Sequence, residues 1–273
     1  MPIRLGAVGY LNTRPLVHGI EEQPDLARRS GHAATAARFS LRFDVPARCA
    51  ELLHADQVDL GLIPSIEYPG HDYRIVPGVS IASDGPVASV ALFSKVPAED
   101  IRSIALDTSS RTSIALLRVL CARWFSIEPR LASMPPDLGR MIVECDAALV
   151  IGDTALFADH EALGLEKVDL GEEWSGMTGL PFVYAFWAGR PGLVGPGDIA
   201  ALQEARDRGL AATATIGRQS FPDDPGKAAR ADLYLRENVK YALGEPEVAG
   251  LRRFYELAAE IGVLPAAETP KFY

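Results

Sequence analysis

The stretch Ser103-Ile104-Ala105-Leu106-Asp107-Thr108-Ser109-Ser110-Arg111-Thr112-Ser113 joins a short apolar segment to an amphipathic one. Its first four residues predict a buried β-strand. Residues 114–125 carry apolar side chains at helical spacing and predict an α-helix. A polar turn between a buried strand and an amphipathic helix is the repeating unit of α/β proteins, so this stretch predicts the fold class.

The polar part of this junction carries five hydroxyl groups and one guanidinium within residues 108–113. Backbone N–H groups at the start of a helix have no acceptor within the helix, and an arginine can donate two parallel hydrogen bonds to a carboxylate. We therefore expect a small carboxylic acid to be bound by Ser109, Ser110, Arg111, Thr112 and Ser113. The alternative is that one of these residues only caps the helix.

Length and composition bound the class of protein. The 273 residues suffice for two lobes, and 48% hydrophobic with 23% charged residues is typical of a folded globular chain. The net charge of −9 argues against a nucleic-acid partner. Three scattered cysteines predict neither a metal site nor a disulfide. Without a signal peptide or an apolar run of roughly 18 residues, we expect a cytoplasmic protein that does not enter the membrane.

Strand-like and helix-like segments alternate along the chain, which predicts mixed sheets with helices on both faces. Two long apolar runs, near residues 87–94 and 180–188, enclose a central group of elements. We interpret these runs as hinge strands. Residues 1–90 and 190–273 then form lobe I, residues 91–189 form an inserted lobe II, and the ligand lies in the cleft between them. The alternative is a single doubly wound sheet.

Further polar side chains lie at the ends of apolar runs, where open α/β sheets bind ligands. They are Tyr10, Asn12, Thr13, Ser65, Glu67, Ser89 and Asp153. The alternative for Asn12 and Thr13 is capping of a helix that we expect to begin at Pro15, and for Glu67 an ion pair with a cation. The five histidines have no metal-ligand spacing, and G-x-S-x-G, Walker and G-x-G-x-x-G motifs do not occur. The pattern predicts a cleft of hydroxyl, amide and guanidinium groups, which hold an acid but are poor bases.

Six motifs of the chain together resemble one enzyme family. They are Tyr10-Leu11-Asn12-Thr13-Arg14-Pro15-Leu16, Val58-Asp59-Leu60-Gly61-Leu62-Ile63-Pro64, Ser83-Asp84-Gly85-Pro86-Val87, Asp107-Thr108-Ser109-Ser110-Arg111-Thr112-Ser113, Ile151-Gly152-Asp153 and Thr178-Gly179-Leu180-Pro181-Phe182-Val183. In this order they resemble the chorismate dehydratases of the futalosine route to menaquinone. The resemblance implies a two-lobed fold like that of the type II periplasmic binding proteins. It also implies a reaction that removes water from chorismate, with no metal and no organic cofactor.

The resemblance further implies which residues take part in the reaction. The family's functional asparagine falls on Asn12, and its serine, in a D-G-P-V-x-S motif, falls on Ser89, so we expect these two to be catalytic. With the polar clusters above, the expected substrate-binding residues are Tyr10, Thr13, Ser65, Ser109, Ser110, Arg111, Thr112, Ser113 and Asp153. Because the motifs contain no convincing base, we expect the enolpyruvyl carboxylate of the substrate to take the proton. Glu67 and Asp153 are the alternative bases.

Other functions stay open at this point. The same fold serves solute-binding proteins that close on a small acid without chemistry. The sister dihydroxynaphthoate synthases share the fold too, but there we expect a loop rich in proline and cysteine in place of Tyr10-Leu11-Asn12. A ligand-sensing regulatory domain is disfavoured because no DNA-binding segment accompanies the fold. Both a monomer and a homodimer are compatible with the sequence.

Overall fold

The computed structural model describes residues 2–20 and 38–273. The strands in this part of the chain form two five-stranded sheets. The first sheet, in the order β2-β1-β3-β10-β4, contains β1 (Ile3–Val8), β2 (Phe39–Asp44), β3 (Leu60–Pro64), β4 (Arg74–Ser83) and β10 (Phe182–Gly189). The second sheet, in the order β7-β6-β8-β5-β9, contains β5 (Val90–Ser94), β6 (Ser103–Asp107), β7 (Arg130–Met134), β8 (Ala147–Ile151) and β9 (Glu166–Asp169).

Both sheets are mixed. In the first, β1 is parallel to β2 and β3, whereas β10 is antiparallel to β3 and β4. In the second, β6 is parallel to β7 and β8, whereas β5 is antiparallel to β8 and β9. The chain leaves the first sheet after β4 and returns to it with β10. In each sheet, therefore, the antiparallel strand is the first one after the chain has crossed over.

This architecture confirms the predicted fold class, an α/β protein with two mixed sheets. The strand β10, which the sequence analysis assigns to the hinge at the end of lobe II, pairs with β3 and β4 of the first sheet. The boundaries of the two lobes stay a prediction. The chain crosses between the sheets through residues 84–89 and again through residues 170–181.

Helices pack against the sheets and link their strands. The α-helices are α1 (Pro46–His54), α2 (Arg111–Leu120), α3 (Leu138–Glu144), α4 (Gly152–Leu156), α5 (Leu170–Thr178), α6 (Pro196–Ala211), α7 (Thr213–Ser220), α8 (Pro225–Leu233) and α9 (Glu245–Glu260). Short 3₁₀-helices span Leu11–Val17, Ser65–Glu67 and Ala98–Asp100, and π-helical turns span Cys121–Phe125 and Tyr234–Asn238. Within the described ranges, none of the helices is both long and apolar enough to cross a bilayer.

The prediction that a helix begins at Pro15 is wrong. A 3₁₀-helix begins four residues earlier, at Leu11, and contains Pro15. The Thr13 N–H donates to the Tyr10 carbonyl oxygen over 3.1 Å, the bond type that winds a 3₁₀-helix. Asn12 and Thr13 therefore lie within the helix and do not cap it.

The central strands carry the core. Every residue of β3, β5, β8 and β10 is buried, which explains their nearly unbroken apolar sequences. The C-terminal tail returns to the first sheet, where Lys240 forms a β-bridge with Ala82. Beside it, Asn238 Nδ2 donates to the Pro86 carbonyl oxygen over 3.0 Å. The tail thus packs against the first crossing between the sheets.

Candidate active site

A cavity of about 60 Å³ lies between the two sheets, at the carboxyl ends of β1, β3 and β8. Parallel strands of α/β proteins commonly present their binding residues at this end. Its polar wall is formed by Tyr10, Asn12, Ser89, Ser110, Thr112, Ser113 and Tyr184. The sequence analysis names all of these except Tyr184. Among the described residues, no charged side chain lines the cavity.

Asn12 and Ser89, the expected catalytic residues, meet at this cavity from distant parts of the chain. Asn12 follows β1, and Ser89 immediately precedes β5. Between them lies Tyr234, whose hydroxyl donates to Ser89 Oγ over 2.7 Å. Burial raises the pKa of Tyr234 well above its ordinary value, although the side chains of Ser89 and Asn12 oppose the shift. The Tyr234 hydroxyl therefore stays protonated.

The backbone before Ser89 adopts a left-handed conformation. Ala88 has a φ of +64°, which costs a non-glycine residue about 1–3 kcal/mol. The buried carboxylate of Asp169 holds it there by accepting the N–H of Ala88 over 2.6 Å and that of Val87 over 3.0 Å. Lys167 Nζ donates to the Ala88 carbonyl oxygen over 2.9 Å. The position of Ser89 thus depends on β9, although the two are far apart in sequence.

Tyr10 reaches across the cleft between the sheets. Its hydroxyl lies 3.3 Å from Ser109 Oγ, and its ring packs against Gly152 at the start of α4. Gly152 has a φ of +64°, and a Cβ there would lie 3.0 Å from the Tyr10 ring. Burial raises the pKa of Tyr10, and the hydrogen bond with Ser109 only partly opposes the shift. Tyr10 therefore presents a neutral hydroxyl.

The predicted run of hydroxyl groups lies at the N-terminus of α2. Ser110 caps this helix, because its Oγ accepts the N–H of Ser113 over 3.3 Å. Thr112 Oγ1 accepts the N–H of Ile66 over 3.2 Å and so ties α2 to the first sheet. Ser109 donates to Asp107 Oδ1 over 2.6 Å and is not part of the cavity lining, which it approaches through Tyr10. The cavity wall here consists of Ser110, Thr112, Ser113 and the helix N-terminus.

Arg111 belongs to the same run but is directed away from the cavity. Its guanidinium forms ion pairs with Glu67 at 3.0 Å and with Glu51 at 3.1 Å, and its side chain is 40% exposed. His54 Nε2 also lies 3.3 Å from the Glu67 carboxylate. Glu67 is thus paired with a cation, the alternative reading of this residue, and does not face the cavity. That Arg111 binds a substrate carboxylate stays a prediction, and this geometry gives it no support.

The remaining predicted substrate-binding residues, Thr13, Ser65 and Asp153, lie behind the cavity wall. Ser65 is fully buried and donates to the Val183 carbonyl oxygen over 2.8 Å. Thr13 is fully buried, and its hydroxyl has no partner among the described residues. Asp153 Oδ1 accepts the N–H of Leu11 over 3.1 Å. Burial raises the pKa of Asp153 despite this bond.

Three residues at the site are absent from the sequence-based prediction. Tyr184 interrupts the apolar β10, and its hydroxyl lies 3.2 Å from Ser83 Oγ; a polar tip in a fully buried strand is the signal that marks it. Asp169 is the N-cap of α5, a role that its place between a strand and a helix suggests. Tyr234 belongs to no motif, and only the fold brings it to Asn12 and Ser89.

Comparisons with known proteins agree with this fold. A family model described as "Menaquinone biosynthesis" matches residues 3–260. A curated chorismate dehydratase from Thermus thermophilus is 31% identical, and the alignment covers 100% of this chain and 98% of that protein.

Among solved structures, protein AF1704 from Archaeoglobus fulgidus has a TM-score of 0.72 at 19% identity, covering 96% of this chain and 98% of its own. The Candida albicans CA3427 gene product, described as having the generic periplasmic binding protein structural fold, has a TM-score of 0.65 at 11% identity, covering 98% of this chain and 92% of its own. These structures show the fold alone. Because the family model matches nearly the whole chain, the chain belongs to the menaquinone biosynthesis family.

Proposed function

We propose that this protein is a chorismate dehydratase, which removes water from chorismate and leaves 3-[(1-carboxyvinyl)oxy]benzoate. The observation that carries the proposal is the meeting of Asn12 and Ser89 at one cavity, where the buried Tyr234 hydroxyl donates to Ser89. Membership of the family and full-length similarity to a chorismate dehydratase support the same reaction.

The N-terminus of α2 suits the ring carboxylate of such a substrate. The positive end of the helix dipole lies at the cavity wall, and Ser110, Thr112 and Ser113 contribute hydroxyl groups there. These donors are neutral, so binding does not require a lysine or arginine in the cavity wall. In a site with little water, such donors stabilise negative charge more strongly than they would in solvent.

The elimination needs a base for the proton on the ether-bearing ring carbon. The ionisable side chains in the described cavity wall are Tyr10 and Tyr184, and burial raises the pKa of both, so they are protonated and cannot accept the proton. Glu67 and Asp153 do not face the cavity. The enolpyruvyl carboxylate of the substrate therefore takes the proton, and Asn12 and Ser89 hold the substrate in position.

The remaining steps follow from the chemistry of the substrate. The electron pair left by the proton delocalises through the ring diene into the ring carboxylate, at the N-terminus of α2. Hydroxide then leaves from the neighbouring carbon, and the ring becomes aromatic. Proton and hydroxide together make the water that is lost. The reaction transfers no electrons to or from the protein, so its balance is complete without a redox cofactor.

Incubation of the purified protein with chorismate tests this function. We expect an aromatic ultraviolet absorption to appear and mass spectrometry to find a product lighter by one water. Asn12→Ala and Ser89→Ala should each lower kcat by about 100-fold or more, the usual loss when a group that stabilises the transition state is removed. Ser94→Ala is the matched control, because Ser94 is an equally buried serine at the far end of β5, bonded to the Val96 carbonyl oxygen.

Unchanged turnover in both Asn12→Ala and Ser89→Ala would remove these residues from the mechanism. Tight binding of chorismate by the wild-type protein without any product would instead identify a solute-binding protein. Calorimetry alongside the ultraviolet assay separates these outcomes.

A further inference from the structure

Tyr234 lies at the beginning of the π-helical turn Tyr234–Asn238, in the C-terminal tail. Its side chain is only 2% exposed, and its hydroxyl donates to Ser89 Oγ over 2.7 Å. The same turn is fixed to the first crossing by the bond from Asn238 to the Pro86 carbonyl oxygen. The tail therefore places one phenol group between the two residues assigned to catalysis.

The bond to Ser89 sets what the Tyr234 hydroxyl can do toward Asn12. A tyrosine hydroxyl has one proton, which here goes to Ser89 Oγ, so toward the neighbouring Asn12 side chain its oxygen acts as an acceptor for the amide N–H₂. Accordingly, Asn12 Oδ1 is buried and has no partner among the described residues. Ser89 Oγ, in turn, accepts from Tyr234 and keeps its own proton to donate elsewhere. Asn12 and Ser89 both line the cavity, so the Asn12 oxygen and the Ser89 hydroxyl proton are available to a ligand there.

We propose that Tyr234 is a positioning residue that makes Ser89 a hydrogen-bond donor and Asn12 a hydrogen-bond acceptor toward the substrate. This inference rests on the proposed function. The chorismate dianion offers carboxylates as acceptors and a single O–H group, the ring hydroxyl that departs, as donor. Ser89 then donates to the enolpyruvyl carboxylate, and Asn12 Oδ1 accepts from the departing hydroxyl. A buried acceptor without a partner is costly, so Asn12 favours a substrate that carries this hydroxyl.

Tyr234→Phe removes the hydroxyl that orients Ser89 and Asn12, which we call the relay, and leaves the aromatic ring in place. We expect kcat to fall by about 10- to 100-fold, because Ser89 and Asn12 lose the bond that orients them. The matched control is Tyr241→Phe. Tyr241 is equally buried, lies in the same tail and has a hydroxyl without a partner among the described residues, so its removal should leave kcat unchanged. Thermal melting of both variants checks that they are folded.

A double-mutant cycle distinguishes a relay from a general structural effect. If Tyr234 acts through Ser89 and Asn12, Tyr234→Phe should slow the Ser89→Ala variant by less than it slows the wild type. The same cycle in the affinity for chorismate, measured by calorimetry, does not depend on turnover. Wild-type kcat in Tyr234→Phe, or effects of the two substitutions that multiply, would overturn the relay while the proposed function stands. Chorismate binding without turnover would overturn the proposed function alone, and no binding would overturn both.

Discussion

Gly152 lies in the cavity wall at a position that tolerates an added methyl group poorly. Its φ of +64° costs an alanine about 1–2 kcal/mol, and the new Cβ would lie 3.0 Å from the ring of Tyr10. We expect Gly152→Ala to lower both the free energy of unfolding and kcat/KM, since Tyr10 must move out of the cavity wall. Chemical denaturation and steady-state kinetics measure the two effects.

Gly164→Ala separates the cost of the backbone from the contact with Tyr10. Gly164 has a φ of +65°, but the space around its missing Cβ is empty to 4 Å. This variant should lose similar stability through the backbone and keep full kcat/KM. Equal kcat/KM in both alanine variants would mean that the contact between Gly152 and Tyr10 has no part in the site.

Asp153 makes stability depend on pH. Burial raises the pKa of Asp153 in the folded protein above the ordinary value of 3.8, which applies to the unfolded chain. At a pH between the ordinary and the raised pKa, the folded protein therefore holds a proton that the unfolded chain has released. The free energy of unfolding therefore falls as pH rises through this window, and the penalty is complete above it. Asp153→Asn, which keeps an oxygen for the Leu11 N–H, should be more stable than wild type at pH 7.

The difference between Asp153→Asn and wild type should shrink as pH falls below the window. Denaturation curves from pH 3 to pH 8 check this expectation. A difference that grows toward low pH would mean that the charged form of Asp153 is the one that the fold favours.

The sequence was enough to predict that Asn12 and Ser89 lie at one cleft, where the structure brings them together, but not to orient Arg111. Motif spacing places a residue at the end of a strand, yet it does not determine which side of a helix N-terminus a long side chain takes. Glu51 and Glu67 are 60 and 44 residues from Arg111 along the chain, and the fold brings their carboxylates beside its guanidinium. Only the assembled structure shows these two competing partners.

At the scale of elements, Asp169 couples the two crossings between the sheets. As the N-cap of α5 it accepts the N–H groups of Gly171 and Glu172, and it also accepts those of Val87 and Ala88. Because an asparagine offers one oxygen instead of two, Asp169→Asn should lower the free energy of unfolding by about 1.5–3 kcal/mol. It should also lower kcat, since Ser89 follows Ala88 directly.

Asp137→Asn is the control for this prediction. Asp137 caps α3 through the N–H of Arg140 alone, and asparagine caps a helix as well as aspartate does. This variant should have the stability and kcat of wild type. If Asp169→Asn is equally harmless in denaturation and kinetic assays, Asp169 is only a helix cap.

Strands were predictable from the sequence where burial in the core determines their residues. Central strands such as β8 and β10 are buried along their length, and their apolar sequences predict them well. The helical tail had no motif, so the position of Tyr234 was unpredictable. That position depends on how the tail packs on the first sheet, through bonds such as Ala82 to Lys240.

At the scale of the whole molecule, hydrogen bonds and ion pairs join the first sheet and its helices to α2 and α4. They include Tyr10 with Ser109, Leu11 with Asp153, Ile66 with Thr112, and Arg111 with Glu67. The cavity of about 60 Å³ is smaller than a substrate with a six-membered ring, so we predict that these contacts open when the substrate enters. We predict that the ion pair of Arg111 with Glu67 controls access to the cavity and takes no part in the chemistry.

Arg111→Ala tests this division of roles. A half-exposed ion pair contributes at most about 1 kcal/mol, so the free energy of unfolding should change little, and kcat should be unchanged. Arg140→Ala, which breaks the exposed pair with Glu144 on α3, is the control. A loss in kcat/KM of about 10- to 100-fold in Arg111→Ala alone, the worth of a charged hydrogen bond, would show that Arg111 binds a substrate carboxylate after all.

The charge of the whole molecule predicts an unusual response to salt. The chain carries a net charge of −9, the proposed substrate is a dianion, and no cationic side chain lines the described cavity. Long-range forces therefore repel the substrate, and salt shortens their range from about 30 Å at 0.01 M to about 10 Å at 0.1 M. We expect kcat/KM to rise as potassium chloride is added over this range, with the same slope in Arg111→Ala. A steep fall with salt, lost in Arg111→Ala, would mean that this guanidinium attracts the substrate and that opening of the cleft turns it inward.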